Sequence, residues 1–175
     1  DQSKNHRVLS VYGFSKAFSI AGLRAGCIYC STQEMFAKLV ETSAVMTTAG
    51  GIASISQIAS KICMDKCYYW NEAFVARMQK NRDYAVERIN KMPGVTVEKP
   101  DATFVLWMNI AGTGKSSEEV VAFLEKEVKL ALVPGTPKFF GPGAEGYVRI
   151  CMATSEAIFK EAMDRLEKGL TKLKG

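Results

Sequence analysis

The sequence lacks several features that would define whole classes of protein. Its 175 residues include only one histidine, His6, and no apolar run long enough to cross a membrane. No signal peptide is recognisable, since a charged segment followed by an apolar one is missing. The five cysteines are an odd number without a secretory context, so we expect reduced thiols and no disulfide framework. These absences predict an intracellular protein, with the cytoplasm as its default location.

Charge and cysteine spacing exclude two further classes of site. The net charge of +5 is modest, and basic residues do not cluster. In residues 155–175 they alternate with acidic residues, as is typical of a solvated helix face, so no nucleic-acid surface is predicted. Cys27 and Cys30 lie three apart in an apolar segment that predicts a strand, where they would point to opposite faces. We therefore predict no metal site and no membrane contact.

The residues that are present predict a folded chain of one to two domains. With 47% hydrophobic and 10% aromatic residues, the chain can bury a substantial core. Strands are predicted at residues 8–14, 25–30, 96–98, 103–110, 130–133 and 147–153. Helices are predicted at about residues 31–47, 54–65, 68–92, 116–127 and from 155 onward. Ser31 and Ser116 are each followed three residues later by glutamate, so each is predicted to begin its helix with a capping box.

One segment carries a specific chemical pattern around a lysine. It reads Gly13-Phe-Ser-Lys16-Ala-Phe-Ser-Ile-Ala-Gly22-Leu-Arg24-Ala-Gly26. A small residue three before the lysine, a hydroxyl just before it, a glycine six after it and Arg-x-Gly from eight after it are all present. The segment resembles the lysine signature of the class I and II aminotransferases, which are pyridoxal-phosphate (PLP) enzymes of fold type I.

The resemblance assigns a role to each residue around the lysine. It implies that Lys16 forms the Schiff base with the cofactor aldehyde and then acts as the proton shuttle at the substrate Cα. It implies that Arg24 grips the cofactor phosphate, for which a planar multi-donor guanidinium is well suited. Ser15 offers a hydroxyl beside the same site. Gly13 stands where the family often has a serine, so one phosphate contact is expected to be missing or made by a backbone amide.

A second resemblance lies near the end of the chain. Arg149 belongs to Tyr147-Val-Arg149-Ile, preceded by Pro134-Gly135 and by a glycine-rich segment. This resembles the family's stretch whose arginine binds the substrate α-carboxylate bidentately. An arginine in an apolar strand is costly unless it is paired. The open alternative is an arginine on the exposed face of the strand, bonded to water or to a neighbouring acid.

The resemblance also predicts the fold and its extent. Family members are about twice this long, and residue 1 is Asp, so we expect the carboxyl-terminal half of a PLP enzyme, an α/β fold-type-I fragment. Residues 1–79 would form the end of the large domain with an interdomain helix, and residues 80–175 the small α+β domain. We expect a homodimer as the family assembly and a fragment that is inactive alone.

The sequence leaves three alternatives open for the function. The leading prediction is a PLP-dependent aminotransferase of amino acid metabolism that acts on an amino acid and a 2-oxo acid. Residues 102–107 and 18–23 also resemble the carbon–sulfur β-lyase branch, cystathionine β-lyase-like enzymes that perform β-elimination. A non-catalytic aminotransferase-like regulatory module is the third possibility.

Overall fold

The computed structural model describes residues 8–47 and 51–174, and these divide into two compact units. One unit extends to Phe74 and the other begins at Val75. The division falls inside a long helix, a few residues before the expected domain boundary at 79/80. The assignment of the two domains as large and small stays a prediction.

The first unit contains a pair of antiparallel strands and the helices that follow it. Strand β1 (Leu9–Gly13) pairs with β2 (Gly26–Cys30). Between them lie a four-residue helix, α1 (Phe14–Ala17), and a 3-10 turn at Ala21–Leu23. The later helices are α2 (Gln33–Ser43), α3 (Ser54–Lys66) and the start of α4 (Tyr68–Ile89).

The second unit is a four-stranded antiparallel sheet with helices around it. Its strands are β3 (Thr96–Val97), β4 (Val105–Asn109), β5 (Val133–Pro134) and β6 (Tyr147–Cys151), in the spatial order β3-β4-β6-β5. Its helices are the rest of α4, then α5 (Ser117–Val128), the short α6 (Pro137–Phe140) and α7 (Glu156–Lys174). None of the helices in the described ranges is long and apolar enough to cross a membrane.

The core of the second unit follows from strand alternation and helix periodicity. Leu106 and Met108 on β4 are fully buried, as is Val148 on β6, so one face of the sheet packs inward. On α7 the buried side chains recur at helical spacing, as the sequence predicts. They are Phe159, Met163, Leu166 and Leu170.

Several predicted boundaries are confirmed and others are wrong. Helix α5 begins with the predicted capping box, in which Ser116 accepts from the Glu119 amide and Glu119 accepts from the Ser116 amide. The box predicted at Ser31 is wrong, because the N-cap of α2 is Thr32, whose hydroxyl accepts from the Met35 amide at 3.2 Å. Two adjacent hydroxyl residues offer equivalent local signals, and the chain uses the second.

The strand predicted at residues 130–133 is also wrong in its extent. Lys129 has a left-handed conformation that ends α5, and the Leu130 amide donates back to the Leu124 carbonyl at 3.2 Å. This bond closes the last turn of the helix and removes the amide from any strand ladder. The pairing of this segment with β6 therefore begins only at Val133.

Candidate functional site

Lys16 and Arg24 lie at the same end of the β1–β2 strand pair. Gly13, the last residue of β1, is directly opposite Gly26, the first residue of β2. Lys16 follows Gly13 by three residues, and Arg24 precedes Gly26 by two. Both cations lie in the segment that connects β1 to β2, and antiparallel pairing brings the two ends of this segment together. Lys16 lies in α1, which begins at Phe14, so the strand predicted at residues 8–14 in fact ends at Gly13.

Buried side chains and two hydrogen bonds hold this connecting segment in place. Phe14 and Phe18, which flank Lys16, are buried in a cluster with Cys63. The side-chain amide of Asn71 donates to the Ala17 carbonyl at 2.8 Å, and the buried Ser56 hydroxyl donates to the Leu23 carbonyl at 2.7 Å. The segment is thus fixed at both of its ends, while Ser15 is half-buried and Lys16 is exposed.

Arg24 borders a groove whose chemistry suits a phosphate. The groove has a volume of about 600 Å³ and lies between the Gly22–Gly26 segment and residues 51–56. The latter include the start of α3, and a helix N-terminus carries partial positive charge. Arg24 is itself left-handed, with φ 51°, a conformation that costs a non-glycine residue about 1 kcal/mol. An exposed guanidinium beside a helix N-terminus is a donor set that fits the phosphate of PLP.

Arg149 lies on the face of the second unit's sheet opposite the core. Val148 and Ile150 on either side of it are buried, so strand alternation turns Arg149 outward. The register places it opposite Trp107 on β4 and Val133 on β5. The guanidinium carbon lies 5.5 Å from the centre of the Phe140 ring.

The described arginines separate into two groups by their partners. Arg77, Arg82, Arg88 and Arg165 each make an ion pair with a carboxylate. Arg24 and Arg149 have no carboxylate within 4.0 Å among residues 8–47 and 51–174. The two unpaired arginines are the two that the sequence predicted to bind anions. Among the described residues, the half-buried Arg149 therefore has no acid partner, and its N–H groups are left for an anion or for water on the open face; its role stays a prediction.

A close backbone approach next to Arg149 requires a glycine. The Gly135 amide donates to the Tyr147 carbonyl at 2.8 Å. A Cβ on Gly135 would lie 2.2 Å from the Ala144 carbonyl oxygen and 2.7 Å from that of Tyr147. Backbone atoms cannot swing away as a flexible side chain can. Gly135 therefore fixes the path of the chain between β5 and α6.

We expect Gly135→Ala to destabilise the second unit by about 2–4 kcal/mol, because the methyl group must displace backbone. Chemical denaturation of the 175-residue chain, monitored by tryptophan fluorescence, measures the change. Gly143→Ala is the matched control, since nothing lies within 4 Å of its added Cβ, and it should change stability by less than about 0.5 kcal/mol. Equal effects of the two substitutions would contradict this account.

The structure distributes the predicted site residues between the two units. Gly13, Ser15, Lys16 and Arg24 share the first unit, and Arg149 lies in the second. Two aromatic neighbours of Arg149 were not predicted as site residues. Trp107 stacks on Tyr147 on the Arg149 face of the sheet. Strand alternation in both segments could have placed Trp107 there, whereas nothing local indicates Phe140.

The fold and its relatives define the class of protein. A PLP-bound aminotransferase structure from Clostridium difficile 630 superposes with a TM-score of 0.83 at 27% identity, covering 94% of this chain and 42% of that one. The chain is thus part of a PLP-dependent enzyme fold of type I. It belongs to the family of class I and II aminotransferases, whose pattern matches residues 1–166.

Two curated relatives of this chain bear the names of different activities. The chain is 35% identical over 159 residues to an aspartate aminotransferase from Pyrococcus horikoshii, covering 90% of this chain and 39% of the relative. It is 29% identical over 158 residues to the cystathionine beta-lyase PatB from Bacillus subtilis, covering 90% and 40% respectively. The chain therefore spans about two fifths of the length of the relatives that it matches.

Proposed function

We propose that the full-length protein exchanges an amino group between an amino acid and a 2-oxo acid with PLP as cofactor. The observation that carries this proposal is a pair of arginines that make no ion pair within the described part of the chain. They are Arg24 in the lysine segment and Arg149 on the second unit's sheet. A cofactor phosphate and a substrate carboxylate are the two anions that such a reaction requires. The family relatives add support, since an aspartate aminotransferase is among them.

The residues of this chain would divide the work between binding and proton transfer. Bound PLP supplies an electron-withdrawing ring that makes the substrate Cα proton acidic. Arg24 would hold the phosphate, with Ser15 and the Gly13 backbone nearby. Arg149 would hold the substrate carboxylate through its two parallel N–H groups and so orient the Cα. Lys16 would take the proton from the substrate Cα and pass it to the carbon of the cofactor aldehyde, as transfer of the amino group requires, and its amine must be uncharged to accept that proton.

β-Elimination is the second candidate, because a cystathionine beta-lyase is among the relatives. The two reactions share cofactor binding and proton removal from the Cα. They differ in the fate of the electron pair that proton removal leaves on the Cα, so their products distinguish the two reactions. A non-catalytic regulatory module would release neither product.

The full-length enzyme should convert an amino acid and a 2-oxo acid into the exchanged pair faster than it releases ammonia. Aspartate with 2-oxoglutarate is the first pair to test, and cystathionine is the competing substrate. Ammonia release from cystathionine that outpaces transamination would replace the proposal with a β-lyase. Absence of both reactions across a panel of amino acids would favour the regulatory module.

The 175-residue chain alone is expected to be inactive. The family resemblance implies that an aspartate on the pyridine nitrogen belongs to the part of the enzyme that precedes this segment. Without that aspartate the ring withdraws electrons poorly, even where Lys16 captures some PLP. The cytoplasmic location stays a prediction from the sequence.

We also propose that the parent enzyme is a homodimer and that the isolated chain self-associates. The first unit exposes large apolar side chains on β1, α3 and the start of α4 that a stable monomer would cover. The most exposed among these include Val11 at 73%, Tyr69 at 72% and Ile55 at 63%. Sedimentation velocity of the purified chain should show a dimer or a larger species at micromolar concentration. A monodisperse monomer whose β1 and β2 amides resist hydrogen exchange would contradict this prediction.

A further inference from the structure

The open face of the second unit's sheet holds Arg149 among aromatic rings. Trp107 is directly opposite Arg149, and Tyr147 lies two residues before it on the same strand, so all three share one face. The Trp107 and Tyr147 rings stack with their centres 5.5 Å apart and their planes 6° from parallel. The two rings thus form a rigid aromatic surface beside the cation.

Helix α6 brings a third ring to this surface. The single turn of this helix is closed by its own bonds, in which the Phe140 amide donates to the Thr136 carbonyl at 3.1 Å and the Gly141 amide donates to the Pro137 carbonyl at 3.0 Å. The Phe140 ring then lies 5.1 Å from the Trp107 ring, centre to centre. It is held there by packing as well as by the helix.

The Phe140 ring covers the guanidinium without using its hydrogen bonds. The Arg149 carbon lies 5.5 Å from the ring centre, within the range of a cation–π contact. A carboxylate partner would occupy the N–H groups at the edge of the guanidinium. An aromatic ring contacts its face and leaves those donors available for a ligand.

We infer that Phe140 is a positioning residue, which orders the Arg149 guanidinium so that its N–H edge meets the substrate carboxylate. This inference rests on the proposed function of Arg149. A free arginine side chain has rotamer entropy to lose when it binds a ligand. A ring that restricts the side chain beforehand removes part of that cost and lowers the dissociation constant for carboxylates.

The test compares three variants of the full-length holoenzyme. Phe140→Leu removes the ring but keeps an apolar side chain, Phe140→Tyr keeps the ring, and Phe139→Leu changes an exposed neighbour whose ring contacts Lys138. Steady-state kinetics give KM and kcat for the amino acid. Isothermal titration with acetate gives a dissociation constant for a simple carboxylate that does not depend on turnover.

Phe140→Leu should raise both KM and the acetate dissociation constant about 3- to 10-fold, with kcat within about twofold, as expected for a lost cation–π contact. Phe140→Tyr and Phe139→Leu should stay within about twofold. A fall in kcat without a change in acetate affinity would overturn the inference. An equal loss in Phe140→Tyr would also overturn it.

Combination with Arg149→Ala separates this inference from the function on which it rests. If Phe140 acts through Arg149, Phe140→Leu should have almost no further effect on acetate binding in an Arg149→Ala background. A full, additive effect there would overturn the positioning role while leaving Arg149 as the carboxylate ligand. If Arg149→Ala alone leaves acetate affinity unchanged, both the proposed role of Arg149 and the inference fall.

Discussion

Replacement of Lys16 by alanine in the full-length enzyme is expected to abolish turnover, with a loss of at least about 10³-fold in kcat. No other residue of the connecting segment between β1 and β2 carries a primary amine. Part of the PLP should remain bound, because Arg24 would still hold the phosphate. Discontinuous assays of product formation measure the loss of turnover. The visible absorbance of the bound cofactor measures separately how much PLP is retained.

Two further variants separate the charge of Lys16 from its capacity to lose a proton. Lys16→Arg keeps a positive charge, but a guanidinium does not deprotonate in proteins, so this variant should be as inactive as alanine. Lys38→Ala on α2 removes an exposed lysine of the same unit and should leave activity within about twofold.

Reduction of the holoenzyme with borohydride followed by peptide mapping should identify Lys16 as the residue that carries the cofactor. A label on any other lysine would exclude the assignment. Substantial turnover in Lys16→Arg would exclude the proton-transfer role but would leave a role in cofactor binding.

Replacement of Arg149 by alanine should lower kcat/KM for the amino acid by tens- to hundreds-fold and leave PLP affinity nearly unchanged. A charge-assisted bidentate contact is worth on the order of 2–4 kcal/mol, and here it would be lost at the substrate only. Arg149→Lys should recover a small part of the loss, because an ammonium supplies charge without the planar fork.

Arg77→Ala is the matched control for this substitution. Arg77 also belongs to the second unit, but it pairs with Glu156 at 2.6 Å and is a surface cation. Its loss should change kcat/KM by less than about twofold. Release of PLP from Arg149→Ala, measured by dialysis and absorbance, would show that Arg149 holds the cofactor and not the substrate.

The candidate site was predictable to the extent that its residues are adjacent in the chain. Gly13, Ser15, Lys16 and Arg24 lie within one short segment, and the spacing of these chemically distinct residues is enough to indicate a shared task. Among residues 8–47 and 51–174, Arg24 and Arg149 make no ion pair, but this does not test the roles predicted for them. The roles themselves still await the experiments above, because proximity in a strand connection does not identify a ligand.

The sequence by itself determined the elements whose signals are local. The capping box at Ser116 and the apolar stripe of α7 both depend on residues within a few positions of one another. The end of α4 was predicted less well, at about residue 92: Pro93 disfavours helical geometry at Met92, but the helix already ends at Ile89.

Only the tertiary structure decided which distant residues meet. The pairing of Gly13 with Gly26 places Lys16 and Arg24 at one end of a strand pair, and the short helix α6 places Phe140 on Arg149. It also decided that Leu130 closes a helix and does not extend a strand. Such contacts depend on competing non-local partners, whose relative energies are set by the packing of the whole unit, so no window of neighbouring residues contains them.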